Sequence, residues 1–233
     1  MLEARQLSAG YGPARVLSGL DLQLNTGEVV ALLGRNGAGK STTLKALMGL
    51  LPVTSGEVTF AGNRIDRLPS WRIARLGLAY VPEDRRIFTD LSVMENLEAG
   101  RLPRGNDAVQ WTAERLFELF PNLGRMRERR GGSMSGGEQQ MLSIARSLMG
   151  NPLALLLDEP SEGLAPVIVE GMARTIRELK REGLCVLLAE QNLRFARRVA
   201  DRACILETGD LRYSGTMADL DANSELRERH LAV

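Results

Sequence analysis

The stretch Gly34-Arg35-Asn36-Gly37-Ala38-Gly39-Lys40-Ser41, with Thr42 behind it, leaves this chain few ways to fold. It has the G-x-x-x-x-G-K-[ST] spacing of a loop that wraps phosphate groups. Ahead of it, Glu28-Val29-Val30-Ala31-Leu32-Leu33 reads as a buried strand. Behind it, Leu44, Leu47, Met48 and Leu51 recur at helical spacing until Pro52. Glycines at 34, 37 and 39 let the backbone curl until its N–H groups converge on phosphate oxygens. The following helix adds free N–H groups and a partial positive charge. Lys40 is expected to reach the β- and γ-phosphates, and the Ser41 hydroxyl to ligate Mg²⁺.

The rest of the chain arranges itself around that loop. Residues 1–30 alternate and turn like an antiparallel sheet, Leu2 to Leu7 and then Val16 to Leu24. Tyr11 falls in a glycine-flanked loop between them, where its ring could pack or stack on a purine base. Gly56–Gly62 and Leu78–Val81 read as further strands, with a helix over Trp71–Leu76. From 84 to about 150 the periods are helical. Val109, Ala113, Leu116, Phe117 and Phe120 mark one helix, stopped by Pro121 and preceded by the loop Arg101-Leu102-Pro103-Arg104-Gly105. This is expected to be a helical insert in an α/β domain. Its run Arg125, Arg127, Arg129 and Arg130 reads as a solvated surface.

Two places carry more chemistry. Ser135 and Glu138 have capping-box spacing ahead of the face Leu142, Ala145, Leu148 and Met149. Capping does not explain Gly136 and Gly137, which weaken a first turn by about 0.8–1.0 kcal/mol each relative to alanine. Bare glycines at a helix N-terminus suit close approach by an anion. Next, Leu153–Leu157 is apolar throughout, as in a parallel strand covered on both faces, and ends in Asp158-Glu159-Pro160. Carboxylates at that end lie where open α/β sheets bind ligands. Asp158 is placed to hold the Mg²⁺ shell, and Glu159 to orient or deprotonate an attacking water. A second such unit follows, with a helix over Ile168–Glu178 and a strand Leu184–Ala189 ending at Glu190-Gln191-Asn192. A hairpin spans 203–213 and a polar helical tail closes the chain.

Charges nearly cancel, Lys+Arg 30 against Asp+Glu 29, so no basic footprint for nucleic acid is expected. No apolar run approaches the ~20 residues needed to span a bilayer, and the first residues lack a signal peptide's apolar stretch. A cytoplasmic protein is expected, serving any membrane through a partner. Cys185 and Cys204 sit in apolar runs and are expected to be free and buried.

In combination, Gly34–Thr42, Met134-Ser135-Gly136-Gly137-Glu138, Asp158-Glu159 and Ser161-Glu162-Gly163-Leu164-Ala165-Pro166 resemble, over the whole chain, the ATP-binding subunit of an ABC transporter. The likeness is greatest to the LivF type, which serves branched-chain amino acid importers. The resemblance implies an α/β fold: a RecA-like P-loop NTPase core (1–83 and 151–233) with an N-terminal antiparallel β subdomain, and an inserted α-helical signature subdomain (84–150). It implies ATP and Mg²⁺ as cofactors. ATP would contact Tyr11, Gly34, Arg35, Asn36, Gly37, Ala38, Gly39, Lys40, Ser41, Thr42 and Glu83. Ser135, Gly136, Gly137 and Glu138 would meet the γ-phosphate of ATP on a partner subunit. Ser41, Asp158 and Glu83 would face the metal, and Glu159 and Gln191 the hydrolysis. The implied partners are transmembrane permease subunits, a second ATPase subunit of LivG type in a nucleotide-sandwich heterodimer (or a second copy), and indirectly an extracytoplasmic solute receptor. The implied place is the inner face of the cell membrane.

Three residues depart from the common pattern: Glu83 and Glu138 stand where glutamine is usual, and Gln191 where a switch histidine is usual. Gln191 can hydrogen-bond a phosphate but cannot titrate near neutral pH, so Glu159 is expected to carry catalysis. His230, the sole histidine, is expected on a disordered surface of the tail. Uptake of urea, amides or other small solutes, and a non-transport ATPase, remain alternatives. A GTPase is disfavoured by the lack of an Asn-Lys-x-Asp motif.

Overall fold

The structure, a computed structural model, describes residues 1–102 and 111–231. Val109 and the Pro103-Arg104-Gly105 part of the expected loop lie outside them. Strands β1 (Leu2–Tyr11), β2 (Ala14–Leu24), β4 (Val53–Phe60) and β5 (Asn63–Arg64) form an antiparallel sheet in the order β2-β1-β4-β5; β3 (Val29–Leu33) leaves it for a second sheet. Helix α1 (Lys40–Leu47) follows the glycine loop, and α2 (Ser70–Leu76) leads into β6 (Leu78–Val81). Then come α3 (Val93–Ala99), α4 (Ala113–Leu119), α5 (Pro121–Gly124) and α6 (Gly136–Leu148). The chain returns to the second sheet through β7 (Ala154–Asp158), α7 (Pro166–Arg181), β8 (Cys185–Glu190), α8 (Leu193–Val199), β9 (Arg202–Glu207) and β10 (Asp210–Thr216). Helices α9 (Met217–Ala222) and α10 (Ser224–Leu231) end the described chain.

The second sheet runs β10-β9-β3-β8-β7-β6, parallel except for the edge strand β10. Every residue of β3, β7 and β8 is buried, which is why these stretches read as unbroken apolar runs rather than alternating ones. Register aligns their carboxyl ends: Leu33 lies beside Glu190, Asp158 beside Ala189, and Val81 beside Leu157. One rim therefore receives the loops after β3, β6, β7 and β8. Beneath it, Leu155, Leu157, Val186 and Leu188 share an apolar cluster with Leu97, Phe117, Leu142 and Leu148, so the helical stretch is packed onto the sheet.

Four expectations change. Helix α1 ends before Pro52, at a turn where Gly49 has φ 68°. Pro121 does not merely stop a helix; it opens α5 at its first position, where a missing N–H costs nothing. Tyr11 is not in a loop but at the end of β1, paired with Ala14. His230 is not on a disordered surface: it is 9% exposed in α10, its Nδ1 3.4 Å from a Glu207 carboxylate oxygen. Cys185 and Cys204 are free and buried, as expected.

Candidate functional site

The glycine loop joins the carboxyl end of β3 to α1, and Lys40 turns back beneath it. The Lys40 side chain is 3% exposed, and its ammonium has three partners. It donates to Gly34 O at 2.9 Å and Arg35 O at 3.2 Å, and pairs with Glu159 Oε1 at 3.0 Å. An ammonium has three N–H donors, so an arriving phosphate must displace one of these contacts. Glu159 is the natural one to yield, because an anion competes with it for the same charge.

Ser41 and Asp158 meet across 117 residues of chain, with Oγ donating to Oδ1 at 2.8 Å. The Tyr80 hydroxyl donates to the other oxygen at 2.8 Å. Burial pushes the Asp158 carboxyl up, and these two donors only partly oppose it. Among the described residues no cluster of three or more His, Cys, Asp or Glu is arranged to hold a metal. The hydroxyl–carboxylate pair nonetheless fits Mg²⁺, a hard ion that commonly takes one or two protein oxygens and completes its shell with phosphate and water. Ser41 and Asp158 would hold it there, and the ion would supply charge neutralisation of the phosphates.

Glu159 sits one residue past β7 with φ 44°, a left-handed conformation that is strained for a residue with a side chain. Its N–H donates to Ala189 O at 2.9 Å, which extends the strand pairing through the bend. Burial works to raise the Glu159 carboxyl, but hydrogen bonds with Glu162 and Lys40, and the Lys40 charge, hold it below the ordinary glutamate value. The hydrogen bond with Glu159, followed by burial and by the charges of Glu159, Glu83 and Glu190, pushes Glu162 up to about 7. The shared hydrogen bond thus favours the charge on Glu159 and the proton on Glu162. Glu190, 2% exposed, accepts from the N–H groups of Ser161 and Asn192, each at 3.1 Å, tying the loop after β7 to the end of β8. Burial pushes its carboxyl up.

These groups enclose a cavity of about 510 Å³ lined by Asn36, Gly37, Gly39, Lys40, Ser41 and Thr42, and by Val16, Glu83, Glu159 and Glu162. Other expected residues lie elsewhere. Gly34 and Ala38 are buried at the back of the loop and Arg35 is exposed. Tyr11, 49% exposed, does not line the cavity, nor does Gln191, exposed after β8. Sequence reading assigned no role to Val16, Tyr80 or Glu190, and placed Glu162 only within the family-like stretch Ser161–Pro166. Glu190 carried a usable signal, a carboxylate at the end of a fully apolar strand.

Ser135, Gly136, Gly137 and Glu138 are outside this cavity, at the start of α6. Ser135 Oγ accepts from Glu138 N at 3.4 Å, while Glu138 Oε2 accepts from Ser135 N at 2.7 Å and from its Oγ at 2.9 Å, a complete capping box. Hydrogen bonding to Ser135 N holds the Glu138 carboxyl below its ordinary value despite some burial. Gly137 has a reason to be bare that sequence reading missed: a Cβ there would sit 3.0 Å from Ile168 of α7. Ser135 and Gly136 remain at least partly open. Replacing Ser135 by alanine should cost about 0.5–2 kcal/mol of stability through the lost cap, read from urea denaturation.

Residues 17–162 match the family model for the ABC transporter. The chain is 44% identical to the high-affinity branched-chain amino acid transport ATP-binding protein BraG of Pseudomonas aeruginosa, over 99% of each. It is 35% identical to the probable branched-chain amino acid transport ATP-binding protein LivF of Archaeoglobus fulgidus over 94% of each. It is also 36% identical to the lipopolysaccharide export system ATP-binding protein LptB of Escherichia coli, over 99% of this chain and 96% of that one. Among solved structures, an ATP-binding subunit of an ABC transporter superposes with a TM-score of 0.84 at 30% identity, covering 100% of this chain and 96% of that one.

Proposed function

The chain belongs to the ABC transporter family as an ATP-hydrolysing subunit, and from that premise we propose that it powers the uptake of branched-chain or other hydrophobic amino acids. The observation that carries the ATPase part of this reading is the cavity in which Lys40, Ser41 and Glu159 converge on one wall of buried charge, with Asp158 behind Ser41. ATP is held by the loop Gly34–Thr42; Ser41 and Asp158 would hold Mg²⁺, which would supply charge neutralisation. Glu159, released from Lys40 by the γ-phosphate, takes the proton of the attacking water. Gln191 positions, and Glu83, on the cavity wall, would help to hold the metal.

The open tip of α6 gives the site its second half. A helix N-terminus bearing Ser135 and Gly136 attracts an anion, and the anion it meets is the γ-phosphate on an opposed subunit of LivG type. Losing that phosphate removes the bridging charge and lets the pair open, which is the movement passed to the permease. The likeness to BraG over almost the full length supports amino acids as cargo.

The permease is proposed to dock in a groove of about 430 Å³ between α2 and α6. Trp71 and Phe88 line it, 53% and 50% exposed, and Arg146 is its only charged lining residue among the described residues. The Arg146 guanidinium lies over the Phe88 ring at 4.9 Å. Large aromatic anchors beside an arginine are the composition of binding hot spots. Docking there holds the chain at the inner face of the membrane, although no described helix is long and apolar enough to cross one. Phe88→Ala should weaken permease binding by about tenfold or more and leave nucleotide binding by the isolated chain unchanged. The test of the whole reading is affinity purification from membranes: recovered permease subunits, with leucine uptake by the reconstituted complex, support it. Recovery of ribosomes or DNA instead would refute it.

A further inference from the structure

A loop that turns its N–H groups toward phosphate must turn carbonyls the other way, into the protein, where each needs a donor. Four such carbonyls have their partners in view. Gly34 O and Arg35 O receive Lys40 Nζ, and Gly39 O receives the Thr43 N–H and hydroxyl, each at 2.9 Å. These donors come from the loop and its own helix. Ala38 O is met from far along the chain, by the N–H of Gly209 at 2.9 Å.

Gly209 lies in the turn between β9 and β10, buried, with φ 84°, after Thr208 at φ 47°. Two successive positive φ values make the tight hairpin turn that suits strand twist. A threonine is strained there, so the turn is held by what it touches. Its carbonyl accepts from Ser18 N of β2 at 3.3 Å, and a Cβ on Gly209 would fall 1.7 Å from Val16 O. The preceding strand is equally close: a Cβ on Gly34 would lie 2.4 Å from Leu206 O. The hairpin end is therefore wedged between the back of the phosphate loop and β2, which carries Val16 to the cavity.

We propose that Gly209 is a positioning residue of the nucleotide site: its N–H holds the Ala38 carbonyl at the rear of the loop and so keeps the loop's amides facing the phosphates. It touches no nucleotide and acts through the backbone of Ala38. This rests on the reading of Gly34–Thr42 as the triphosphate cradle. Without the tether, the peptide between Ala38 and Gly39 is free to rotate, and a phosphate must spend binding energy to reorder it. The loss falls on nucleotide affinity rather than on the chemical step, because Lys40, Ser41 and Glu159 are fixed by other contacts.

The test removes the donor with little change of shape. Ligating a synthetic segment at the natural Cys204 allows glycolate to replace Gly209 in the full chain, exchanging one N–H for an ester oxygen. Binding is read with ATP and with ADP, alongside steady-state hydrolysis. Both affinities should fall roughly 3- to 10-fold and KM should rise in step, with kcat within about twofold of the unmodified chain. Gly209→Ala, which drives a Cβ into Val16 O, should weaken affinity more, by about tenfold or beyond. If that variant fails to fold, the ester chain still decides. Unchanged affinity in a folded ester chain, or a fall in kcat with KM untouched, overturns the proposal. Failure of the unmodified chain to bind ATP would instead refute the nucleotide site itself.

Discussion

Replacing Glu159 by glutamine is expected to leave ATP bound and to slow its turnover by about 10²- to 10⁴-fold, the usual contribution of a positioned general base. The amide keeps the size of the side chain and an oxygen for Lys40 but cannot take a proton. The contact between Lys40 and Glu159 spans 3.0 Å with both groups almost wholly buried, so the loop lysine holds the base. An incoming triphosphate replaces it on that lysine, so the carboxylate becomes free at the moment a phosphorus centre is present to be attacked. The contacts with Glu162 and Lys40 lower its proton affinity before release, so the base enters the reaction ionised at neutral pH. Single-turnover hydrolysis with radiolabelled ATP separates the steps: trapped ATP without phosphate release is the expected result. Full activity in the Glu159→Gln chain would remove Glu159 from the chemistry.

Replacing Lys40 by methionine has the second large effect, and it reaches folding as well as binding. ATP affinity should fall beyond detection, because a buried cation facing the phosphates is gone. Stability should fall by about 3–5 kcal/mol at neutral pH, since the buried carboxylate of Glu159 is left uncompensated. The pH dependence has a definite sign. In the native chain Glu159 has a folded pKa below its unfolded one, so its contribution is present above about 4.5 and is lost as pH falls through the lowered value. Without Lys40 its hydrogen bond and its charge are lost and only the hydrogen bond with Glu162 opposes burial, so the Glu159 carboxyl shifts up relative to the native chain. The variant is then penalised most at high pH and relieved as pH falls. The gap between the two chains in urea denaturation should narrow between pH 7 and pH 4.

The sequence made one part of this site easy to read because its spacing is local. A phosphate cradle is built from consecutive backbone amides, so Gly34 to Ser41 had to appear as an unbroken motif. The capping box at Ser135 and Glu138 is local in the same sense. Buried parallel strands announced themselves as apolar runs, and Asp158 stood out at the end of one. Tyr80 and Glu190 act through register between strands, which no single stretch of sequence encodes. Glu162 is bound to Glu159 by a turn whose shape depends on a left-handed residue. His230 was misjudged because the tail is polar overall, whereas one end of α10 buries His230 and Leu231. Gly137 was read for anion access alone, since the Ile168 side chain that crowds it belongs to a helix beyond the next strand.

The proposed cycle requires ATP to be shared, with Lys40 of one subunit and the α6 tip of its opposite both addressing the same γ-phosphate. The most direct measurement is an electron cryomicroscopy map of the membrane complex carrying Glu159→Gln, prepared with ATP and Mg²⁺. The expected map has nucleotide between Lys40 and the opposed subunit's signature helix, with Ser135 of this chain against the nucleotide on that opposed subunit. ATP on the glycine loop with Ser135 and Gly136 facing solvent in the closed complex would contradict it.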